Sequence, residues 1–163
     1  MADPVTVTVT FSDLKDRLEK GLKPIDGSTA RKVGNDVVNE MKKLISNGTS
    51  PIEGNGKFQA YKNPAKYPGG KKSSSPVNLT LTGKFLAALT YSVESGDGGS
   101  TTKIFFKGDE QEAKERGHRE GANRQPKRPS IPSGGNEKFV KVIREIYTKL
   151  YQERILDVLR GKG

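Results

Sequence analysis

Between Thr49 and Asn78 the chain runs for thirty residues of mainly Gly, Pro, Lys, Ser and Tyr with neither a helical nor a strand period. A structureless segment that long inside a compact domain is uncommon, and where it occurs it is usually functional or ordered by a partner. The core must therefore come from the periodic text on either side, about residues 5–47 and 79–160, within one domain spanning residues 1–163. Hydrophobic residues make up only 31% of the chain, and 19 Gly with 9 Pro punctuate rather than pack. Ordinary globular domains carry about 45–50% apolar residues, so one modest core is all this chain can bury.

The periodic text predicts an α+β fold. Val5, Val7, Val9 and Phe11 alternate with hydroxylated residues, which reads as a half-buried strand, and Leu14, Leu18 and Leu22 then suggest a short helix stopped by Pro24. From Asp26-Gly27-Ser28 to about Ser46, Val33, Val37, Val38, Met41, Leu44 and Ile45 form one helical stripe, with Asn47-Gly48 as its exit. Leu79 to Leu89 reads as a short helix capped by Thr82, and Thr90–Glu94 with Thr101–Lys107 as a hairpin that turns Ile104 and Phe106 to the core. Asp109 to Arg116 makes a brief polar helix ending at Gly117 or Gly121, and residues 117–135 continue largely as a Pro- and Gly-rich loop. The final helix is expected from Asn136 to 159, on the stripe Phe139, Val142, Ile143, Ile146, Tyr147, Leu150, Tyr151, Ile155, Leu156 and Leu159. A small, mainly antiparallel sheet from about 5–11, 89–95 and 101–107 should pack against helices 28–46 and 136–159, with the long basic loops outside that core.

Little enzyme chemistry fits. There is no Cys, which removes disulfides, thiolate metal sites and Cys nucleophiles, and one His, His118, leaves a single imidazole for catalysis. Glycines and charges flank it, so it reads as a surface or hinge histidine, and a small hydrolase using it is the weakest of three functional readings. Asp109, Glu110, Glu112 and Glu115 share one polar helix and read as a solvated face rather than a metal cluster. No cofactor or metal is expected. Gly54-Asn55-Gly56-Lys57 and Gly69-Gly70-Lys71-Lys72 resemble phosphate-binding turns without completing a P-loop. No apolar run approaches the ~20 residues of a bilayer span, and Met1–Asp13 lacks the character of a signal peptide, so neither a membrane nor a Sec-exported protein is expected.

The net charge of +10 is uneven. Residues 1–56 carry 8 basic and 8 acidic side chains, whereas residues 57–163 hold all of the excess. Such a field suits polyanions, either nucleic acid or an acidic protein face. Phe58, Tyr61 and Tyr67, interleaved with Lys, would anchor the 49–78 segment as an interface arm that orders against a neighbour, with Lys71 and Lys72 at its end. Arg124, Lys127 and Arg128 form a second basic loop. Neither Lys57–Lys72 nor Arg116–Arg128 is expected to pair its charge with acids four residues away, so some of that charge should face a polyanion. Changing Lys71, Lys72, Arg124, Lys127 and Arg128 to Gln should then leave folding intact.

The order of landmarks resembles a known family. Ser50-Pro51-Ile52 precedes a Gly-, Lys- and Tyr-rich loop; Pro76 to Leu89 contains Leu81-Thr82-Gly83; a hairpin follows, then His118 to Gly121, then Arg128-Pro129-Ser130-Ile131-Pro132 before a C-terminal helix. Over roughly residues 30–160 this looks like the tail-completion and neck proteins of tailed bacteriophages. The resemblance implies a noncatalytic virion subunit in a homo-oligomeric ring, with six-fold symmetry suggested. That ring, a tail terminator or head–tail neck, would join the tail tube to the head connector. DNA threading the lumen would be a nonspecific contact, and the rim of a protein neighbour is the preferred partner of the basic loops. The chain departs from the family at Ser130, where a large apolar residue often follows Arg-Pro. A basic nucleic-acid-binding module is the alternative reading.

Overall fold

The computed structural model describes residues 26–60, 77, 79, 83–96, 99–121, 126–133 and 136–160. Within them the architecture is α+β, a two-stranded antiparallel sheet with four helices, the first and last of them long. The expected strand at 5–11, the Leu14–Leu22 segment, Tyr61, Tyr67, Lys71, Lys72 and Arg124 lie outside the described residues.

Helix α1, Gly27–Ser46, begins where the sequence places a cap. The Asp26 carboxylate accepts from the backbone N–H groups of Ser28 and Thr29 at 2.8 and 2.9 Å, and from their hydroxyls at 2.6 and 2.9 Å. These bonds, the Ser28 hydroxyl foremost, hold its carboxyl well below the usual carboxylate range. At the other end Gly48 takes the left-handed conformation, with its N–H on the Ile45 carbonyl and the Thr49 N–H on that of Leu44. Both bonds close the helix as a Schellman turn. The buried stripe is Ala30, Gly34, Val37, Val38, Met41 and Ile45.

That stripe lies on a hairpin of β1, Leu89–Gly96, and β2, Gly99–Phe106. The register pairs Leu89 with Phe106, Tyr91 with Ile104 and Val93 with Thr102, which turns these residues to α1, while Thr101, Lys103 and Phe105 face outward and are exposed. Gly34 is the point of closest approach: a Cβ there would stand 2.5 Å from Cδ2 of Tyr91 and 2.9 Å from its Cγ. Only glycine lets the ring lie against the helix backbone at that distance.

Before the hairpin, a single turn of helix α2, Lys84–Ala88, follows Gly83 in the left-handed conformation. Strand β1 takes over at Leu89, so the helix expected to run through that residue is shorter, because Leu89 is committed to pairing with Phe106. The Phe85 ring stacks on Phe106 at 4.3 Å, and with Leu89, Val37, Val38, Met41, Ile45 and Ile143 it forms the core. Helix α3, Asp109–Glu120, runs a full turn past Gly117 to Gly121. His118 therefore sits inside a helix, with its ring edge-on to Phe85 at 5.4 Å, and is not a hinge.

Three expectations are overturned. The loops do not lie outside the core: Ile52 is 1% exposed, and Phe58, Val77 and Leu79 are members of the core cluster. Residues 49–58 turn back on themselves, with Ser50 N–H bonded to the Gly56 carbonyl and Phe58 N–H to that of Gly48. That turn carries Phe58 into this chain's own interior rather than toward a neighbour. The last helix, α4, spans Lys141–Leu159 and has no side-chain cap. Asn136 does not start it, because residues 138–140 are held extended against the 51–53 turn, Val140 N–H on the Pro51 carbonyl and Glu53 N–H on that of Lys138.

Candidate assembly surface

The segments that carry the family resemblance converge on one junction. The Arg128 N–H donates to the carbonyl of His118 at 2.6 Å. Ser50 Oγ donates to the Pro129 carbonyl at 3.0 Å and accepts from the Ile52 N–H at 3.2 Å, while Ile52 bridges to Phe139. The Arg128 guanidinium grips the Gln59 carbonyl with Nε at 3.3 Å and Nη2 at 2.9 Å. Arg128 is only 1% exposed, and Ser50 and Ser130 are fully buried. A charge read from sequence as facing a polyanion is instead a pin that ties residues 126–130 to the base of the 49–60 turn. An internal carbonyl takes the place of an external anion, because a guanidinium buried this deeply must be hydrogen-bonded within the chain.

The basic surface shrinks in a second place. Arg119 pairs with Glu115 at 2.9 Å, at the spacing of four that was expected to be missing, and with Glu137 at 3.2 Å. Glu137 also accepts from the Ser133 N–H and hydroxyl at 2.7 and 3.0 Å, and these bonds, led by the backbone one, lower its pKa. The acids of α3 are likewise occupied in part: Glu110 pairs with Lys114, which holds its carboxyl below the ordinary value. Among the described residues no three of His, Asp and Glu gather closely enough to hold a metal ion, and no helix is long and apolar enough to cross a membrane. Of the sequence-predicted site residues that are described, Phe58 is core, Arg128 is the buried pin and Lys127 is exposed.

Among the described residues, most of the exposed large apolar side chains lie on α4. At 1.5 Å per residue its 19 residues reach about 28 Å. Only Ile143 is buried; Ile146 and Tyr147 pack partly against the core, and beyond them Tyr151 is 52%, Leu156 46% and Leu159 39% exposed. The polar side of α4 is largely matched within the chain, by Lys141 with Glu145, Lys149 with Glu153 and Arg144 with Glu53 at 2.8 Å. Its unpartnered feature is thus apolar. The expectation that the whole 136–159 stripe packs on the sheet fails here, for lack of core to cover it; the signal for this was a stripe too long for a chain with 31% hydrophobic residues. Ser50 stood out in the sequence only as part of the Ser50-Pro51-Ile52 landmark, and the Gln59 carbonyl had no signal there, since its role depends on Arg128, sixty-nine residues away.

No protein-family model matches the chain, and no curated protein or solved structure matches it.

Proposed function

We propose that this chain is a noncatalytic structural subunit of a bacteriophage virion, a tail-completion or neck protein that forms a homo-oligomeric ring between the tail tube and the head connector. The observation that carries the reading is the junction. Ser50-Pro51-Ile52, Phe85 after Leu-Thr-Gly, His118 and Arg128-Pro129 resemble the family as scattered landmarks, and here they meet in one packed unit. Landmarks kept in order by chance have no reason to touch. The second support is the apolar distal face of α4, which suits burial between copies.

The nucleic-acid alternative loses ground because Arg128 and Arg119, two of the residues it would use, are engaged within the chain. Immunogold labelling of the particle that contains this chain tests the proposal. Label at the head–tail junction is the expected result. Label elsewhere overturns it, as does a stable monomer that binds short duplex DNA with a steep salt dependence.

A further inference from the structure

The chain contains the dipeptide Asn-Gly twice, at Asn47-Gly48 and Asn55-Gly56, and the fold treats the two differently. A glycine after asparagine has no side chain to shield its backbone nitrogen, so that nitrogen can swing onto the neighbouring carboxamide wherever the backbone is free to turn. At Asn47 the turn is blocked. Gly48 is buried, its N–H bonds to the Ile45 carbonyl at 2.9 Å, and its own carbonyl accepts from the Phe58 N–H at 2.7 Å. Its nitrogen reaches the Asn47 side chain only if the Schellman closure of α1 opens first. Asn55 and Gly56 are both exposed and lie outside every helix and strand. A Cβ added at Gly54 or at Gly56 would meet no atom of the described residues within 4 Å, and the Asn55 N–H reaches the Ile52 carbonyl only at 3.3 Å. The glycine cannot be exchanged for a more protective residue without strain. Gly54 and Gly56 have φ of 84° and 58°, the left-handed region, so the turn that carries Asn55 requires the small neighbour that exposes it.

We propose that Asn55 is a site of spontaneous covalent modification, deamidating through a succinimide to aspartate and isoaspartate, while the fold preserves Asn47. Hydroxide takes the proton from the Gly56 nitrogen, which attacks Cγ of Asn55. The new N–Cγ bond closes a five-membered ring, and the side-chain nitrogen regains a proton from water and leaves as ammonia. One water then opens the ring at either carbonyl, so the net change is asparagine plus water to aspartate or isoaspartate plus ammonia. Opening at the backbone carbonyl routes the main chain through Cβ and lengthens it by one carbon. That added carbon falls inside a turn of fixed length. Ser50 N–H closes the turn on the Gly56 carbonyl at 2.8 Å, and Glu53 N–H ties it to the Lys138 carbonyl at 2.8 Å. Ser50 also holds the Pro129 carbonyl at 3.0 Å, so isoaspartate at 55 loosens the junction from its exposed end. The inference concerns the chain's own chemistry and stands whether or not the chain builds a ring.

Peptide mapping by mass spectrometry, with electron-based fragmentation to tell isoaspartate from aspartate, tests it on the full chain held in mildly alkaline buffer. In the folded chain Asn55 should convert at least about tenfold faster than Asn47, with isoaspartate among its products. In strong urea, where the turn and the helix closure are both lost, the two rates should come within about twofold of each other. Asn55→Gln should remove the conversion and leave the fold unchanged, because residue 55 is exposed. Chain aged to completion at Asn55 should unfold at lower urea than fresh chain, whereas Asn55→Asp, which carries the charge on a main chain of ordinary length, should match the fresh chain. Equal rates at the two sites in the folded chain, faster conversion at Asn47, or a difference that persists in urea overturns the assignment of the site. An aged chain as stable as the fresh one overturns its effect on the junction.

Discussion

Arg128→Gln separates two opposed readings of one residue. A solvated basic loop loses nothing on that change, whereas the junction loses its pin. The guanidinium places two donors on the Gln59 carbonyl at 3.3 and 2.9 Å from a site that is 1% exposed. A hydrogen bond from a charged donor contributes about 1.5–3 kcal/mol net. The shorter Gln also forfeits the packing of the arginine stem, which brings the expected loss to about 2–4 kcal/mol. For a domain of this size that is roughly a 5–15 °C fall in Tm. Arg128→Lys keeps the charge but not the planar fork, and should recover less than half of the loss. Lys127→Gln, one residue earlier and exposed, is the control and should stay within about 0.5 kcal/mol of wild type. Chemical denaturation followed by circular dichroism gives all three values. If Arg128→Gln is as mild as Lys127→Gln, the buried grip on Gln59 does not exist in solution and the junction argument fails with it.

Three further outcomes follow from the packing. Gly34→Ala gains about 1 kcal/mol of helix propensity but drives a methyl against the Tyr91 ring base, an overpacking cost of about 1–3 kcal/mol, so it should destabilise, and in a Tyr91→Ala background it should stabilise. Stabilisation in both backgrounds would remove the close approach. Ser130 is fully buried and its hydroxyl has no hydrogen-bond partner among the described residues, so Ser130→Ala should raise stability by about 1 kcal/mol in urea unfolding; a loss of that size would mean the hydroxyl is satisfied. The Asp26 carboxyl is held below its ordinary value in the folded chain, so its contribution is present above the usual carboxylate range and fades as pH falls beneath it. Thermal unfolding of wild type should therefore decline more steeply than that of Asp26→Asn between about pH 4 and pH 2, and parallel profiles would contradict the capping role.

What the sequence disclosed, and what it hid, divides along local and long-range physics. The start of α1 at Asp26, its exit at Gly48 and the inward turn of Phe106 were legible because each depends on neighbours within a few residues. The fate of Phe58 was not, since a Gly-rich turn gives no sign of which surface its aromatic will meet, and here that surface is the chain's own core. Arg128 was misread for a related reason: charge counted along a chain cannot show that a carbonyl sixty-nine residues away waits for it. The end of the C-terminal stripe was visible as periodicity but not as exposure, because a helix reads the same whether its apolar face meets a core or a neighbouring subunit.

The central claim, that this chain assembles with copies of itself through the distal face of α4, is tested most directly by the light-scattering mass of the full chain over a range of concentrations, beside Leu156→Glu/Leu159→Glu. Both residues are exposed, so the double variant should fold unchanged by circular dichroism. The account predicts a wild-type mass several times 17.8 kDa that collapses toward 17.8 kDa in the variant. A wild-type chain that stays at 17.8 kDa at every concentration, or a variant oligomer indistinguishable from wild type, would contradict it.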